Sequence, residues 1–241
     1  MLSKINQLFS RLLTHSDSRS DANDDLELDW LNPPRDPLNT AAWDAFWIEH
    51  VRHGVWALSD MFCDDRPLVS AMNSAGMNTI LCAGFGVSQE PLALSQAGFD
   101  VVAMDISPQA IEFSRSLGLP PERFTLFCDP EMRRLGGKID FVTGNILDDA
   151  VCSGPFDVII ERRTAQLYAE HDLGVLMAAL AKRLSPDGIF FSHCHDGRWR
   201  PPGRPTHFTR PWFQENRWVV WNGRSGKKPK GQVAWLFTTT G

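Results

Sequence analysis

The alternation of apolar and polar positions divides the chain into two kinds of segment. Residues 78–83 (NTILCA), 101–105 (VVAMD), 139–144 (IDFVTG), 156–161 (FDVIIE) and 188–194 (GIFFSHC) are short apolar runs, and each predicts a strand. Between them, residues 88–97 (SQEPLALSQA), 108–117 (PQAIEFSRSL) and 172–184 (DLGVLMAALAKRL) repeat apolar side chains at helical spacing and predict helices. Pro108 suits a first helical turn, where its missing N–H costs nothing. Strands alternating with helices predict a parallel sheet covered by helices on both faces. Upstream, residues 40–62 read as a helix with Thr40 as its N-cap and with Trp43, Phe46, Trp47 and His50 on one side. The end of the chain differs. Residues 217–222 (RWVVWN) and 233–240 (VAWLFTTT) are strand-like, and the connection between them leaves no room for a crossover helix. They predict an antiparallel hairpin.

Residues 2–13 place Ile5, Leu8, Phe9, Leu12 and Leu13 on one helical face. Asn6, Gln7, Ser10 and Arg11 interrupt the apolar run that a secretory signal requires. A short helix docking on the domain or on a partner is the favoured reading, with a peripheral membrane contact as the alternative. The expected organisation is therefore a flexible extension over 1–29 and one folded domain over 30–241. No apolar run approaches the roughly 20 residues of a membrane-spanning helix. Cys63, Cys82, Cys128, Cys152 and Cys194 are scattered, without a C-x-x-C pair. This argues against a disulfide scaffold or a cysteine zinc site, and points to a reducing, cytoplasmic setting.

Charge sharpens this division. The net charge of −5 is a sum of unlike parts. Residues 15–29 hold six acids and one Arg, whereas residues 198–241 hold nine Lys and Arg against the single acid Glu215. The basic end interleaves these cations with Trp199, Trp212, Trp218 and Trp221, a pattern that single-stranded nucleic acid favours. Trp218 and Trp221 fall in a strand-like run, where aromatic residues usually pack, so a polyanion partner is the minor reading.

Candidate chemistry begins after the first strand. Gly84-Phe85-Gly86 makes a glycine turn into a helix, which lets backbone approach a ligand closely. Nineteen residues past Gly86, Asp105 ends the second strand, where an acid can accept hydrogen bonds from both hydroxyls of a ribose. Gln89 stands where a pyrophosphate-binding turn has its third glycine. A nucleoside cofactor without phosphates fits the pattern better than a nicotinamide.

With these residues in place, the chain from about 78 to 241 resembles the class I S-adenosylmethionine-dependent methyltransferases. The order ILCAGFG, VVAMDIS, FVTGNILD, FDVIIE and LSPDGIFF matches that family, as does the terminal hairpin. The resemblance implies a Rossmann-like α/β fold with a mostly parallel seven-stranded sheet. The implied cofactor is S-adenosylmethionine, and the implied activity is methyl transfer to a small-molecule acceptor. It further implies that Gly84, Phe85 and Gly86 flank the methionine and ribose of the cofactor. Asp105 then binds the ribose, Ile106 packs on the adenine, Asn145 and Ile146 lie at the adenine edge, and Glu161 lies near the methyl group. Cys82 holds the position where many members have an acid. The N-terminal aromatic helix and the Glu161-Arg162 pair are similar to the thiopurine methyltransferase-like branch.

Two clusters at the carboxyl ends of later strands are candidates for the acceptor side. One is Glu161-Arg162-Arg163-Thr164, whose arginines either hold an anionic acceptor or pair with the acidic body. The other contains His193 and His195, on one face of an extended strand, as general base or acceptor contact. No further ligand stands at metal-binding spacing, so no metal is expected. The aromatic set Trp43, Phe46, Trp47 and Trp56 reads as core packing, or alternatively as a lid over a flat acceptor. Cys82, Ser88 and Asn145 depart from the family pattern and leave open a catalytically silent binding protein; a nicotinamide-dependent oxidoreductase is the other alternative.

The opposed charges generate an expectation. Deleting residues 15–29 should strengthen binding of an anionic polymer carried by 198–230, and retention on heparin before and after the deletion checks it.

Overall fold

The computed structural model describes residues 33–52, 69, 72–73, 75–118, 136–195, 213–219 and 232–239, the last two as backbone. The amphipathic segment 2–13, the acidic linker, residues 53–62 of the expected first helix, and most of the basic end lie outside the described residues. Among the described residues, five strands and four α-helices follow one another, with the third strand leading into the fourth, and two further strands close the sheet. They are α1 (Thr40–Arg52), β1 (Thr79–Ala83), α2 (Glu90–Gln96), β2 (Asp100–Asp105), α3 (Pro108–Ser116), β3 (Ile139–Thr143), β4 (Phe156–Arg162), α4 (Glu170–Arg183), β5 (Leu184–His195), β6 (Phe213–Val219) and β7 (Gln232–Thr239). The sheet order is β3-β2-β1-β4-β5-β7-β6. β1 to β5 run parallel, while β7 lies between β5 and β6 and is antiparallel to both. The strand order reverses between β1 and β4, which opens a crevice at their carboxyl ends.

Period-two alternation assigns each strand residue to one of two cores. Ile80, Cys82, Val101, Ala103, Val158, Ile160 and Phe191 meet Leu94, Phe99 and Ile111 on one face. Leu81, Ala83, Met104, Ile159 and Phe190 meet the α4 stripe Leu173, Leu176, Met177 and Leu180 on the other. That stripe follows the spacing i, i+3, i+4, i+7, so the helix buries one face. Each such side chain contributes about 1.5–3 kcal/mol by leaving water. Arg183, at the end of α4, is fully buried and donates to the carbonyls of Asp148 and Ala179 (both 2.8 Å) and of Cys152. Its aliphatic stem and its fork of donors pin the loop before β4 to the helix.

Two boundaries differ from expectation. The N-cap of α1 is Asn39, not Thr40: its side-chain oxygen accepts the Ala42 N–H at 3.0 Å. Asn ranks above Thr as a cap, and its position three residues before Ala42 is the one that reaches that orphan donor. β6 begins at Phe213, four residues before the apolar run, because a sheet-edge strand pairs through backbone and tolerates the polar stretch Gln214–Asn216. Among the described residues, no helix is long and apolar enough to cross a membrane.

A buried ion pair ties the sheet to the helix that follows the glycine turn. Arg162, at the end of β4, donates through Nε to Glu90 Oε2 at 2.7 Å and through a terminal nitrogen to Glu90 Oε1 at 2.5 Å. Its guanidinium also lies 5.1 Å from the centre of the Phe191 ring. Glu90→Ala removes the carboxylate and leaves the guanidinium buried, so urea unfolding should show a loss of about 3–5 kcal/mol.

Candidate active site

The site is built at the carboxyl ends of β1, β2 and β4, beside the point where strand order reverses. After Ala83 the chain must turn sharply into α2, and it does so with left-handed glycines at Gly84 (φ +62°) and Gly86 (φ +60°). Both positions are also crowded. A Cβ on Gly84 would lie 2.7 Å from Thr164 Cγ2, and one on Gly86 would lie 2.6 Å from Trp47 Cη2. Conformation and space therefore both require glycine. The Thr164 hydroxyl donates to the Gly84 carbonyl at 2.8 Å, fastening the turn to the loop that follows β4.

Asp105 sits beneath this turn, 6% exposed. Its Oδ2 accepts the Gly86 N–H at 2.8 Å and its Oδ1 accepts the Ser107 N–H at 2.9 Å. It thus joins the turn after β1 to the turn after β2. Burial pushes its pKa up to about 6 from the usual 3.8, the backbone donors of Ser107, Gly86 and Ile106 oppose that rise, and Asp44 adds to it. Each carboxylate oxygen has further acceptor capacity beyond its one backbone N–H, so a ribose can still be held here.

A roof lies over these two turns. Asp44 of α1 accepts from the Ser107 hydroxyl at 2.5 Å and from the Gln109 N–H at 3.2 Å. Ser107 in turn caps α3 by accepting the Ala110 N–H at 3.1 Å. One turn further along α1, Trp47 lies on Gly86, its ring braced by Trp43, Phe46 and His50 at centroid distances of 6.2, 5.0 and 5.6 Å. The aromatic face of α1 therefore packs on the glycine turn itself. Tyr168, the single tyrosine of the chain, is half-buried beside the site. Its hydroxyl pKa is raised by burial first, then by Asp172, Asp105 and Asp36.

Glu161 is 2% exposed at the end of β4. Its Oε2 accepts the N–H groups of Thr164 at 2.9 Å and Ala165 at 3.1 Å, and its Oε1 accepts the Ser192 hydroxyl. Burial raises its pKa against these donors. Glu161 and Arg162 are thus both engaged inside the protein, holding the post-β4 loop and α2. Arg163 follows with a left-handed φ of +64°, which turns the chain away from the strand.

The other expected site residues divide. Gly84, Gly86, Asp105 and Ile106 converge at the two turns. Asn145 and Ile146 follow β3, where the Asn145 side chain accepts the Leu147 N–H at 2.9 Å and Ile146 packs with Met104. The Phe85 side chain turns into the first core, 6.0 Å from the Phe141 ring, so the turn presents its backbone only. Cys82 is 1% exposed in that same core. His193 and His195 occupy the carboxyl end of β5, where His193 is in register with Arg162; their side chains and Trp56 lie outside the described residues. Asp44, Glu90 and Ser192 carried no sequence signal. Ser107 did, as a Ser-Pro pair at a helix start.

Comparison with known proteins agrees with this geometry. Residues 81–192 match a family model described as a methyltransferase domain. A magnesium-protoporphyrin O-methyltransferase of Rhodobacter capsulatus is 34% identical over 111 residues, covering 46% of this chain and 43% of that protein. The chain thus spans less than half the length of this curated relative. Among solved structures, a TehB-like SAM-dependent methyltransferase of Corynebacterium glutamicum superposes with a TM-score of 0.54 at 17% identity, covering 85% of this chain and all of that one. The magnesium protoporphyrin IX methyltransferase of Synechocystis PCC 6803, solved with SAM bound, gives 0.50 at 16% identity, covering 80% and 83%.

The Asp105 environment has a consequence for stability. The folded chain keeps a proton on Asp105 up to about pH 6, whereas the unfolded chain releases it near 3.8. Stability therefore falls as pH rises through that window. Asp105→Asn should flatten this part of the slope, as read by urea midpoints across the window.

Proposed function

We propose that this chain, which has the class I S-adenosylmethionine-dependent methyltransferase fold and carries a methyltransferase domain over residues 81–192, binds S-adenosylmethionine and transfers its methyl group to a small-molecule acceptor. The observation that carries the reading is the joint made by Asp105. It binds the glycine turn after β1 and sits where a ribose would be held, in a crevice that the reversal of strand order opens.

When bound, the sulfonium supplies an activated methyl group. The chain's own part is then to align and to exclude water, and alignment alone can supply about 7–11 kcal/mol of such a barrier. The glycines at 84 and 86 make the sharp turn at the mouth of the crevice and let Thr164 and Trp47 pack against it. Asp105 accepts hydroxyl hydrogen bonds, Ile106 and Ile146 offer an apolar surface for a base, and α1 covers the turn. Glu161 fixes the loop after β4 and Arg162 fixes the start of α2, which makes both positioning residues. His193 and His195, at the end of β5, are the candidates to take a proton from an acceptor that carries one.

The acceptor is read more coarsely. The named activity of the Rhodobacter relative makes a carboxylate on a flat macrocycle one candidate, and the aromatic face of α1 is compatible with a planar acceptor. We place magnesium protoporphyrin beside small phenols, amines and thiols in the acceptor panel.

Titration calorimetry with S-adenosylhomocysteine tests the cofactor reading. Binding is expected, and Asp105→Ala should weaken it by about 1–3 kcal/mol through lost hydrogen bonds. A folded sample that takes up no heat at millimolar ligand overturns the assignment.

A further inference from the structure

We infer that Thr164 is a positioning residue that couples the glycine turn after β1 to the loop after β4, so that a nucleoside cofactor seated at Gly84–Gly86 tightens residues 163–168 before an acceptor is bound. The inference rests on the cofactor reading above and deepens it, since it assigns an order of assembly, cofactor first and acceptor second.

Three observations carry it. First, the loop is held by two different elements. Glu161 fixes it to its own strand by accepting the Thr164 and Ala165 N–H groups at 2.9 and 3.1 Å. The Thr164 hydroxyl fixes it to the neighbouring turn by donating to the Gly84 carbonyl at 2.8 Å, with the Ala83 carbonyl next at 3.3 Å. Second, the joint leaves no slack. The Thr164 side chain fills the space that a Cβ on Gly84 would need, its Cγ2 lying 2.7 Å from that point. Gly84 is also held by its own N–H, which donates to the Met104 carbonyl of β2 at 2.8 Å. A close-packed joint of this kind transmits a displacement instead of absorbing it. Third, the loop begins in a strained residue. Arg163 keeps a φ of +64°, which a non-glycine residue holds where its surroundings over-determine it. When the joint loosens, the backbone at 163 has a preferred conformation to relax into.

Thr164 is thereby linked to the same turn whose Gly86 N–H is held by Asp105. A ligand that bridges Asp105 and the turn restrains Gly84, and Thr164 passes the restraint onward. The Leu167 N–H donates to the Thr164 carbonyl at 3.0 Å, and the Tyr168 N–H to the Ala165 carbonyl at 3.2 Å. The backbone that carries Tyr168 is therefore set by the same series of bonds. Such coupling is reciprocal, so a fixed loop favours the ligand by the factor with which the ligand fixes the loop.

Amide hydrogen exchange on the full chain, with S-adenosylhomocysteine at saturation, reads the coupling without an acceptor. In the wild-type chain the nucleoside should slow exchange about fivefold or more, both at 84–86 and at 164–168. Thr164→Val keeps the shape and removes the hydroxyl. In that variant the turn should still be slowed, and the loop by less than about twofold. Thr164→Ala, a second variant without the hydroxyl, should match it, whereas Thr164→Ser keeps the hydroxyl and should restore the slowing in the loop. Three results overturn the inference: a wild-type loop that is not slowed while its turn is, a hydroxyl-free variant slowed like wild type, or a serine variant that behaves like valine. A folded hydroxyl-free variant that cannot be saturated overturns it as well, because the hydroxyl then builds the cofactor site itself. A folded wild-type chain that takes up no S-adenosylhomocysteine by calorimetry is the separate failure of the cofactor reading.

Discussion

One carboxylate holds the functional end of this molecule together. Asp105 is buried, accepts the Gly86 N–H with one oxygen and the Ser107 N–H with the other, and so fixes two turns that arise from different strands. A neutral side chain would offer fewer acceptors at the same spot. The arrangement propagates outward. Ser107, oriented by Asp105, caps α3 and donates to Asp44, and Asp44 carries α1 into place over Gly86. Four elements are thus linked by consecutive hydrogen bonds to a single residue. Burying that charge is unfavourable, which its raised pKa records, and the backbone donors only partly offset the cost.

The same economy appears at the end of β4. Glu161 and Arg162 are adjacent in sequence, and strand geometry sends them to opposite faces. Glu161 reaches up to the loop at Thr164 and Ala165, while Arg162 reaches Glu90 at the start of α2. Two charged side chains that the sequence marks as site candidates are both hydrogen-bonded to neighbouring elements at the crevice. The proposed methyl transfer needs such bracing more than it needs a strong base, because a displacement of about 1 Å can cost a hundredfold in rate.

Much of the fold is legible in the sequence because the information is local and periodic. Five apolar runs with helices between them leave few topologies open once crossovers are right-handed, and the two terminal runs are too close for another crossover. The glycine turn and Asp105 are legible for the same reason: their spacing is set by one strand–helix–strand unit. The aromatic face of α1 shows in the sequence as a stripe, but its target does not. That Trp47 meets Gly86, 39 positions away, depends on how α1 is carried across the sheet. Asp44 is harder still, since a lone acid on a helix resembles any solvated residue until Ser107 is placed beside it. Arg162 illustrates the reverse limit. Its neighbours in sequence suggest an anion site, whereas its partner in space is Glu90, which no local pattern announces.

The position of β7 bears on how such a chain assembles. It is the last of the seven described strands in chain order, yet it lies inside the sheet, between β5 and β6. Until it arrives, β5 presents an apolar edge with unpaired N–H and C=O groups on the side away from β4, and β6 has nothing in the sheet to pair with. A chain emerging from the ribosome therefore carries a parallel half-sheet with an open flank until residues 232–239 are made. The closing step is the insertion of one strand between two waiting edges, a long-range pairing of the kind that slows folding and invites the pairing of one unfinished chain with another.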